Sequence, residues 1–347
     1  MRHIVRRLLA IVLPGTLAAC ALQLTTYRHD VPALQLRVVG QPGVADGRVR
    51  FRQVLCGVRP EDCQRMLARL ADEELPSGPP IPLPSHDRRM RVLFVPGAFQ
   101  QCFPDVAAPY EGAVQRLRML GYTIEILPVG ARSSAEHNAE QIAQAIRANP
   151  PIPGEHLVLM GYSKGTPDIM VFLVRHPDLA ERVSAVVSIA GAVNGTPIAD
   201  RYSGLFDAVS WLKAGPCEVG DRGVLRSLRR DERMRWLAEN RLPGHVRYFS
   251  LGAFVSDEAT ARLLAKPKRE LSRVSALNDG QTVFYDQLIP GSTLLGYANG
   301  DHWAIALALQ EKWPYWAGNP DGTTYPRDGL LEAMVLYVAE ALSQEPH

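Results

Sequence analysis

A Gly-Tyr-Ser-Lys-Gly pentapeptide at residues 161–165 directly follows an apolar run at residues 157–160. Between a strand and a helix, Gly-x-Ser-x-Gly indicates a nucleophile elbow, a turn so tight that its serine is strained. Small residues are needed two positions before and two positions after the serine, and glycine stands at both. The apolar segment 167–174 predicts the helix that packs back on the sheet. Ser163 is therefore the candidate nucleophile.

A base and an acid must follow the serine, in the order Ser, Asp/Glu, His. His302 lies in a Gly-Asp-His-Trp loop just after the apolar run 292–298. From a loop beyond a late strand, an imidazole can reach back to the serine. The other histidines after Ser163 are on the elbow's own helix, at the start of a strand and at the terminal position, namely His176, His245 and His347. We predict His302 as the base.

Three aspartates are candidates for the acid. Asp279 lies in a Leu-Asn-Asp-Gly turn, which gives its carboxylate a sharp, exposed bend and makes it the preferred candidate. Asp257, after the strand predicted at 246–254, and Asp286 remain alternatives. Asp301 adjoins His302, is poorly placed to bond that ring, and is interpreted as a loop cap.

The chain resembles α/β-hydrolases of the bacterial lipase and esterase kind. The resemblance rests on the elbow, on the Asn-Asp-Gly turn with His302 downstream, and on the Gly-Thr-Pro-Ile-Ala-Asp segment at 195–200. That segment is similar to the G-[ST]-P-x-A-D stretch of such lipases, and the similarity extends from about Arg91 to Leu309. It implies an α/β-hydrolase fold, with a mostly parallel central sheet, helices on both faces and a helical cap insert.

The resemblance also implies an activity. The chain is expected to be a serine hydrolase that cleaves carboxylic esters through a Ser-Asp-His triad and an acyl-enzyme. The expected substrate is a small acyl ester or a lipid, and neither a cofactor nor a metal is expected. Alternatives are an acyltransferase or thioesterase with the same triad, or a non-catalytic binding lipoprotein, because the fold does not choose among them.

The oxyanion hole is predicted from two backbone donors. In this fold one donor comes from an early loop and the other from the residue after the nucleophile. The strand predicted at 91–95 runs into Pro96-Gly97, where the family usually has His-Gly. We assign the N–H groups of Ala98, with Phe99 as a reserve, and of Lys164. The Lys164 side chain itself is expected to face solvent.

The N-terminus is predicted to be a lipoprotein signal peptide over residues 1–19. A basic segment precedes a short apolar stretch, which ends at Leu-Ala-Ala-Cys, similar to a bacterial lipobox. Cys20 would then carry the lipid and anchor the mature chain in the cell envelope, at the outer membrane facing the periplasm. A plain secretory signal is the alternative. A transmembrane helix is disfavoured because the stretch is shorter than the roughly 20 residues needed.

Charge and cysteine content agree with export. Removing residues 1–19 removes three arginines and no acid, so the formal net charge falls from +2 to −1, which argues against nucleic acid as a partner. Four cysteines remain besides Cys20, and an even number favours two disulfides. We predict the pairs Cys56–Cys63 and Cys102–Cys217. Zinc-ligand spacing is not present in the sequence.

The predicted organisation has an N-terminal region at 20–90 and a catalytic domain at 91–347. The first contains strands at 34–39 and 48–55, a helix at 61–74 and a proline-rich linker at 75–84. The second contains a cap insert at about 201–243. Its strands and helices alternate, which predicts a parallel sheet. The strands are expected at 91–95, 122–128, 156–160, 183–189, 246–254 and 292–298, and the helices at 108–120, 134–148 and 328–342.

Overall fold

A computed structural model describes residues 28–74, 89–102, 109–202, 217–318, 322 and 324–344. The predicted signal peptide, Cys20, the proline-rich linker, His347 and part of the predicted cap insert lie outside the described residues. Within the described ranges, the helices are too short or too polar to cross a membrane.

The centre of the protein is a mostly parallel β-sheet. In the described part of the chain, the strands are β1 (Arg28–His29), β2 (Ala45–Asp46), β3 (Leu67–Leu70), β4 (Met90–Val95), β5 (Thr123–Ile126), β6 (His156–Tyr162), β7 (Val183–Ile189), β8 (Arg247–Phe254) and β9 (Thr293–Asn299). Their order is β1-β3-β9-β8-β7-β6-β4-β5, with β2 pairing to β9. Among the strands of the described residues, β3 alone pairs antiparallel, with β9. The central strands are nearly continuous apolar runs because helices cover both faces of the sheet.

The helices form two layers. On one face, the helices Arg48–Val58, Glu111–Met119 and Asp328–Ser343 share one apolar cluster with the sheet. On the other face, the helices Ala135–Ala148 and Gly165–Arg175 pack together in a second cluster. The remaining described helices are shorter: Cys63–Met66, Pro177–Ala180, Arg230–Glu239, Ala265–Leu271, Leu309–Lys312 and Pro314–Ala317, with 3-10 turns at Gln100–Cys102, Arg226–Leu228, Arg262–Leu264 and Phe284–Asp286.

The strands and helices predicted from residue 91 onward are confirmed. Each predicted strand and helix of the alternating region exists, with boundaries that differ by a few residues. The carboxyl ends of the parallel strands therefore meet at one edge, where ligands bind in sheets of this kind.

The two strands predicted in the N-terminal region, at 34–39 and 48–55, are wrong. Residues 34–39 form no strand, and the predicted strand 48–55 is the helix Arg48–Val58. Arginine alternates with apolar residues at 48–52, which resembles a strand. The positions that become buried, however, include Arg48, Phe51, Arg52 and Leu55, at helical spacing.

The helix predicted at 61–74 is also wrong beyond Met66. It ends there, and the chain continues as β3, which completes the sheet beside β9. A buried ion pair of 2.6 Å between Arg52 and Glu73 holds the new strand against the first helix. Long-range pairing of this kind overrides local helical propensity.

Both predicted disulfides are present. Cys56–Cys63 links the first helix to the short helix after it. Cys102–Cys217 links the loop after β4 to the segment that precedes Val224 and Leu228. The second bridge thus fixes one end of the candidate oxyanion loop.

Candidate active site

Ser163 lies at the tip of the turn between β6 and the helix Gly165–Arg175. Its φ of 55° is in the left-handed region, which a side-chain-bearing residue rarely adopts. A Cβ on Gly161 would lie 2.6 Å from the backbone nitrogen of Thr166, and one on Gly165 would lie 2.1 Å from the Val95 carbonyl oxygen. The turn therefore requires both glycines of the motif.

Two hydrogen bonds hold this strained backbone in place. The N–H of Ser163 donates to the carbonyl of Ile189 at 3.0 Å, at the end of the neighbouring strand β7. Its carbonyl accepts from the N–H of Ala192 at 3.1 Å. One partner is the last residue of β7 and the other lies in the loop after it. The tertiary structure therefore maintains the serine's conformation.

His302 follows β9 and faces the serine. Its Nε2 lies 2.8 Å from Oγ of Ser163, and its Nδ1 lies 2.7 Å from Oδ2 of Asp279. The backbone of His302 is fixed at both ends. Its N–H donates to the carbonyl of Asp279 at 2.8 Å, and its carbonyl accepts from the hydroxyl of Tyr162 at 2.5 Å. The structure thus joins the predicted nucleophile, base and preferred acid in one hydrogen-bonded chain.

The carboxylate of Asp279 is fully buried and has several donors. Oδ1 accepts from the N–H groups of Gln281 at 2.8 Å and Thr282 at 2.7 Å. Oδ2 accepts from the hydroxyl of Thr282 at 3.0 Å in addition to its contact with His302. Gly280, with φ of 88°, closes the turn in a conformation that favours glycine. Charge-assisted bonds from this many donors stabilise a buried anion.

The other candidate acids lie elsewhere. Asp257 has a largely exposed side chain, 3.5 Å from Nζ of Lys268. Asp286 is buried, and its Oδ1 lies 3.2 Å from both Arg230 and Asn194. Neither carboxylate contacts His302 in the described part of the chain.

Asp301 is the loop cap expected from the sequence. It accepts the N–H groups of Trp303 at 3.0 Å and Ala304 at 2.9 Å through Oδ1, and that of Ala261 at 2.9 Å through Oδ2. Burial raises its pKa to about 6. Asp301 therefore ties the loop that carries His302 to the loop after β8.

The predicted oxyanion donors differ in availability. The N–H of Phe99 donates to the carbonyl of Ala131 at 3.0 Å, so this reserve donor is already engaged. Within the described residues, the N–H groups of Ala98 and Lys164 have no hydrogen-bond partner. A Cβ on Gly97 would lie 3.1 Å from Cβ of Ser163 and 3.1 Å from Cδ1 of Tyr162, so a side chain at this position would crowd the serine.

The expectation that the Lys164 side chain faces solvent is wrong. It is 1% exposed, and its Nζ donates to Oδ1 of Asp168 at 2.6 Å. The other oxygen of Asp168 accepts from Asn138 at 2.7 Å, and Asn138 also donates to the carbonyl of Gly130 at 3.1 Å. Burial raises the pKa of Asp168, and Lys164 opposes that shift. Lysine and aspartate four residues apart on a helix are neighbours, a signal that could have identified this pair.

This hydrogen-bond network connects the elbow to the loop after β4, the two segments predicted to supply the oxyanion donors. Lys164 belongs to the elbow, whereas Gly130 immediately precedes Ala131, whose carbonyl holds Phe99. Sequence reasoning missed Asp168 and Asn138. Groups of three or more His, Cys, Asp or Glu side chains that could hold a metal are not found among the residues that the structure describes.

Three bacterial or metagenomic esterases and lipases of known structure are similar to this chain. The chain is similar to the metagenomic carboxyl esterase MGS0156, with 34% identity, a TM-score of 0.79, and coverage of 90% of this chain and 97% of that one. The fold is also similar to that of Staphylococcus hyicus lipase, with 13% identity, a TM-score of 0.54, and coverage of 74% and 97%. The Bacillus licheniformis lipase BlEst2 in its propeptide form matches with 19% identity, a TM-score of 0.52, and coverage of 64% and 48%.

Neither a protein-family model nor a curated protein sequence matches the chain. The match to the esterase nevertheless combines substantial identity with nearly complete coverage of both chains. The chain therefore belongs to the same α/β-hydrolase family as this carboxyl esterase.

Proposed function

We propose that the protein is a serine hydrolase that cleaves carboxylic esters through the triad Ser163, His302 and Asp279. The observation that carries the proposal is the continuous chain of hydrogen bonds from Oγ of Ser163 through the imidazole to the buried carboxylate. The strained elbow that presents the serine adds to it, because a binding protein has no need of such a conformation.

The mechanism follows from the positions of these groups. With Nδ1 protonated and bonded to Asp279, Nε2 of His302 accepts the Ser163 hydroxyl proton as Oγ attacks the ester carbonyl. The N–H groups of Ala98 and Lys164 stabilise the oxyanion of the tetrahedral intermediate. His302 then protonates the leaving alcohol, and an acyl-enzyme remains. Water, deprotonated by His302, attacks that acyl group and releases the acid and the free serine.

The substrate class is inferred from the relative. MGS0156 is a carboxyl esterase, and the similarity of this chain to it supports a carboxylic ester as the substrate. We propose a small acyl ester or a lipid.

We also propose that Cys20 carries a lipid that anchors the protein in the bacterial cell envelope. Incorporation of labelled palmitate, lost in Cys20→Ser, tests the anchor separately from the chemistry.

Hydrolysis of p-nitrophenyl esters from acetate to palmitate tests the activity. We expect turnover by the wild-type chain, and a loss of about 10⁵-fold or more in Ser163→Ala and in His302→Ala. Ser188→Ala is the matched control, because Ser188 is a buried serine on β7 outside the triad. A fluorophosphonate probe should label the wild type and not Ser163→Ala. Labelling of the Ser163→Ala chain would contradict the assignment of the nucleophile, and equal turnover by all variants would contradict the triad.

A further inference from the structure

A group of large apolar side chains is exposed after the His302 loop. Trp313, Tyr315 and Trp316 are 39%, 63% and 53% exposed, and Leu263 from the neighbouring 3-10 turn is 47% exposed. We call these four residues the aromatic patch. The rings of Tyr315 and Trp316 are edge to face at 4.7 Å. Clusters of exposed large apolar side chains mark interaction surfaces, whereas single ones need no explanation.

The patch is bordered by positive charge. Arg262 lies with its guanidinium 4.9 Å from the ring centre of Tyr315 and donates to the Tyr315 carbonyl at 2.6 Å. Lys266 and Arg269 follow at helical spacing and are exposed. Neither of these two has an ion-pair partner in the part of the chain that the structure describes. We call Arg262, Lys266 and Arg269 the basic row.

Three acids of the neighbouring segments already have partners. Glu270 accepts from the hydroxyl of Tyr202 at 3.0 Å and lies 3.7 Å from Arg201. Glu311 pairs with Arg327 at 2.7 Å. Asp257 lies 3.5 Å from Lys268. The basic row therefore keeps its positive charge next to exposed aromatic rings.

The surface lies beside the candidate active site. Ala261, which precedes the basic row, donates its N–H to Asp301, the neighbour of His302. A Cβ on Gly280 would lie 3.1 Å from Cβ of Leu264, so the same turn packs against the loop that carries Asp279. A partner that binds the patch would therefore sit next to the catalytic groups.

We propose that the aromatic patch and the basic row together bind the surface of an anionic phospholipid bilayer. Tryptophan and tyrosine combine an apolar body with a polar tip, which suits the boundary between headgroups and acyl chains. Lysine and arginine beside them attract anionic headgroups. The surface would hold the active-site edge of the sheet against the membrane. This inference does not depend on the proposed esterase activity.

Tryptophan fluorescence with the full chain tests the proposal. Vesicles of phosphatidylglycerol with a bromine-labelled phosphatidylcholine should quench the protein, because bromine quenches only rings that enter the bilayer. Trp313→Phe/Trp316→Phe should abolish the quenching, whereas Trp236→Phe, on a different helix, should leave the quenched fraction intact. Because all variants share one N-terminus, any lipid on Cys20 contributes equally to each.

Charge is tested in the same assay. Lys266→Gln/Arg269→Gln should reduce quenching to the level seen in vesicles of phosphatidylcholine alone. Arg182→Gln/Arg222→Gln, which removes the same charge from other exposed positions, should not. Circular dichroism and thermal unfolding check that each variant folds.

Three outcomes would overturn the proposal. One is quenching that persists in Trp313→Phe/Trp316→Phe, and another is equal quenching in vesicles with and without phosphatidylglycerol. The third is absence of quenching in the wild-type chain. A dimer in sedimentation that Tyr315→Ser/Trp316→Ser dissolves would then make the surface an interface between two copies of this chain.

Discussion

Replacing Asp168 by asparagine is expected to destabilise the protein by about 3–5 kcal/mol, because it leaves the charge of Lys164 buried without a counter-ion. The side chains of both residues are at most 1% exposed, and they are joined at 2.6 Å. Asparagine keeps the size of the side chain, and its oxygen can still accept from Asn138, but its amide NH2 then faces Nζ of Lys164, so the variant removes both the counter-charge and that hydrogen bond. Typical domains are stable by only about 5–15 kcal/mol, so the loss should be easily measured.

The complementary variant should lose less. Lys164→Met leaves a buried carboxyl that can take up a proton, since burial already raises the pKa of Asp168. We expect a loss of about 3 kcal/mol at neutral pH. A raised pKa means that the folded state holds the proton more tightly than the unfolded state, so this loss should shrink as the pH falls.

The double variant Lys164→Met/Asp168→Asn removes both charges of this pair, and the buried Arg233 nearby loses the attraction of Asp168 as it does in Asp168→Asn. We expect it to be at least about 2 kcal/mol more stable than the sum of the single losses predicts. Urea unfolding of the four chains gives the coupling energy directly. Ester hydrolysis should change little in Lys164→Met, because the predicted oxyanion donor is the backbone N–H. Single losses below about 1 kcal/mol, or losses that simply add, would refute the reasoning.

Three further predictions concern other groups. Asp279→Asn should lower kcat about 10⁴-fold by favouring the wrong imidazole tautomer, whereas Asp286→Asn should not; equal losses would make Asp286 a rival acid. Burial raises the pKa of Asp286 from 3.8 to about 6, so stability is lost as the pH rises through this range. Unfolding free energies should therefore favour Asp286→Asn over wild type by about 3 kcal/mol more at pH 7.5 than at pH 3.5, and a constant difference would contradict this. Removing Cys102–Cys217, which spans 115 residues, should cost about 2 kcal/mol more than removing Cys56–Cys63, which spans 7; equal shifts in urea unfolding would contradict the loop-closure reasoning.

The catalytic region was predictable because its signals are local. The elbow needs glycine at 161 and 165 for steric reasons that any chain of this geometry shares. Asp279 could be preferred over the other acids because Asn-Asp-Gly predicts a tight turn, and its carboxylate does accept from N–H groups of that turn, although it is buried and not exposed as expected. The alternation of apolar strands with helices from residue 91 likewise predicts a parallel sheet, since each helix connects two parallel strands and covers a face of the sheet.

Contacts between distant segments decided the rest. Residues 67–70 become a strand only because the edge of β9 is available for pairing, and the chain at 48–58 becomes a helix because the Asp328–Ser343 helix buries its apolar face. The same holds inside the site. Lys164 is buried because its Nζ pairs with Asp168, which Asn138 also bonds. The N–H of Phe99 is unavailable because it donates to the carbonyl of Ala131 in another loop. Sequence alone identified the candidate catalytic groups, whereas tertiary packing decided which of them are available, because hydrogen-bond partners and burial depend on residues far apart in the chain.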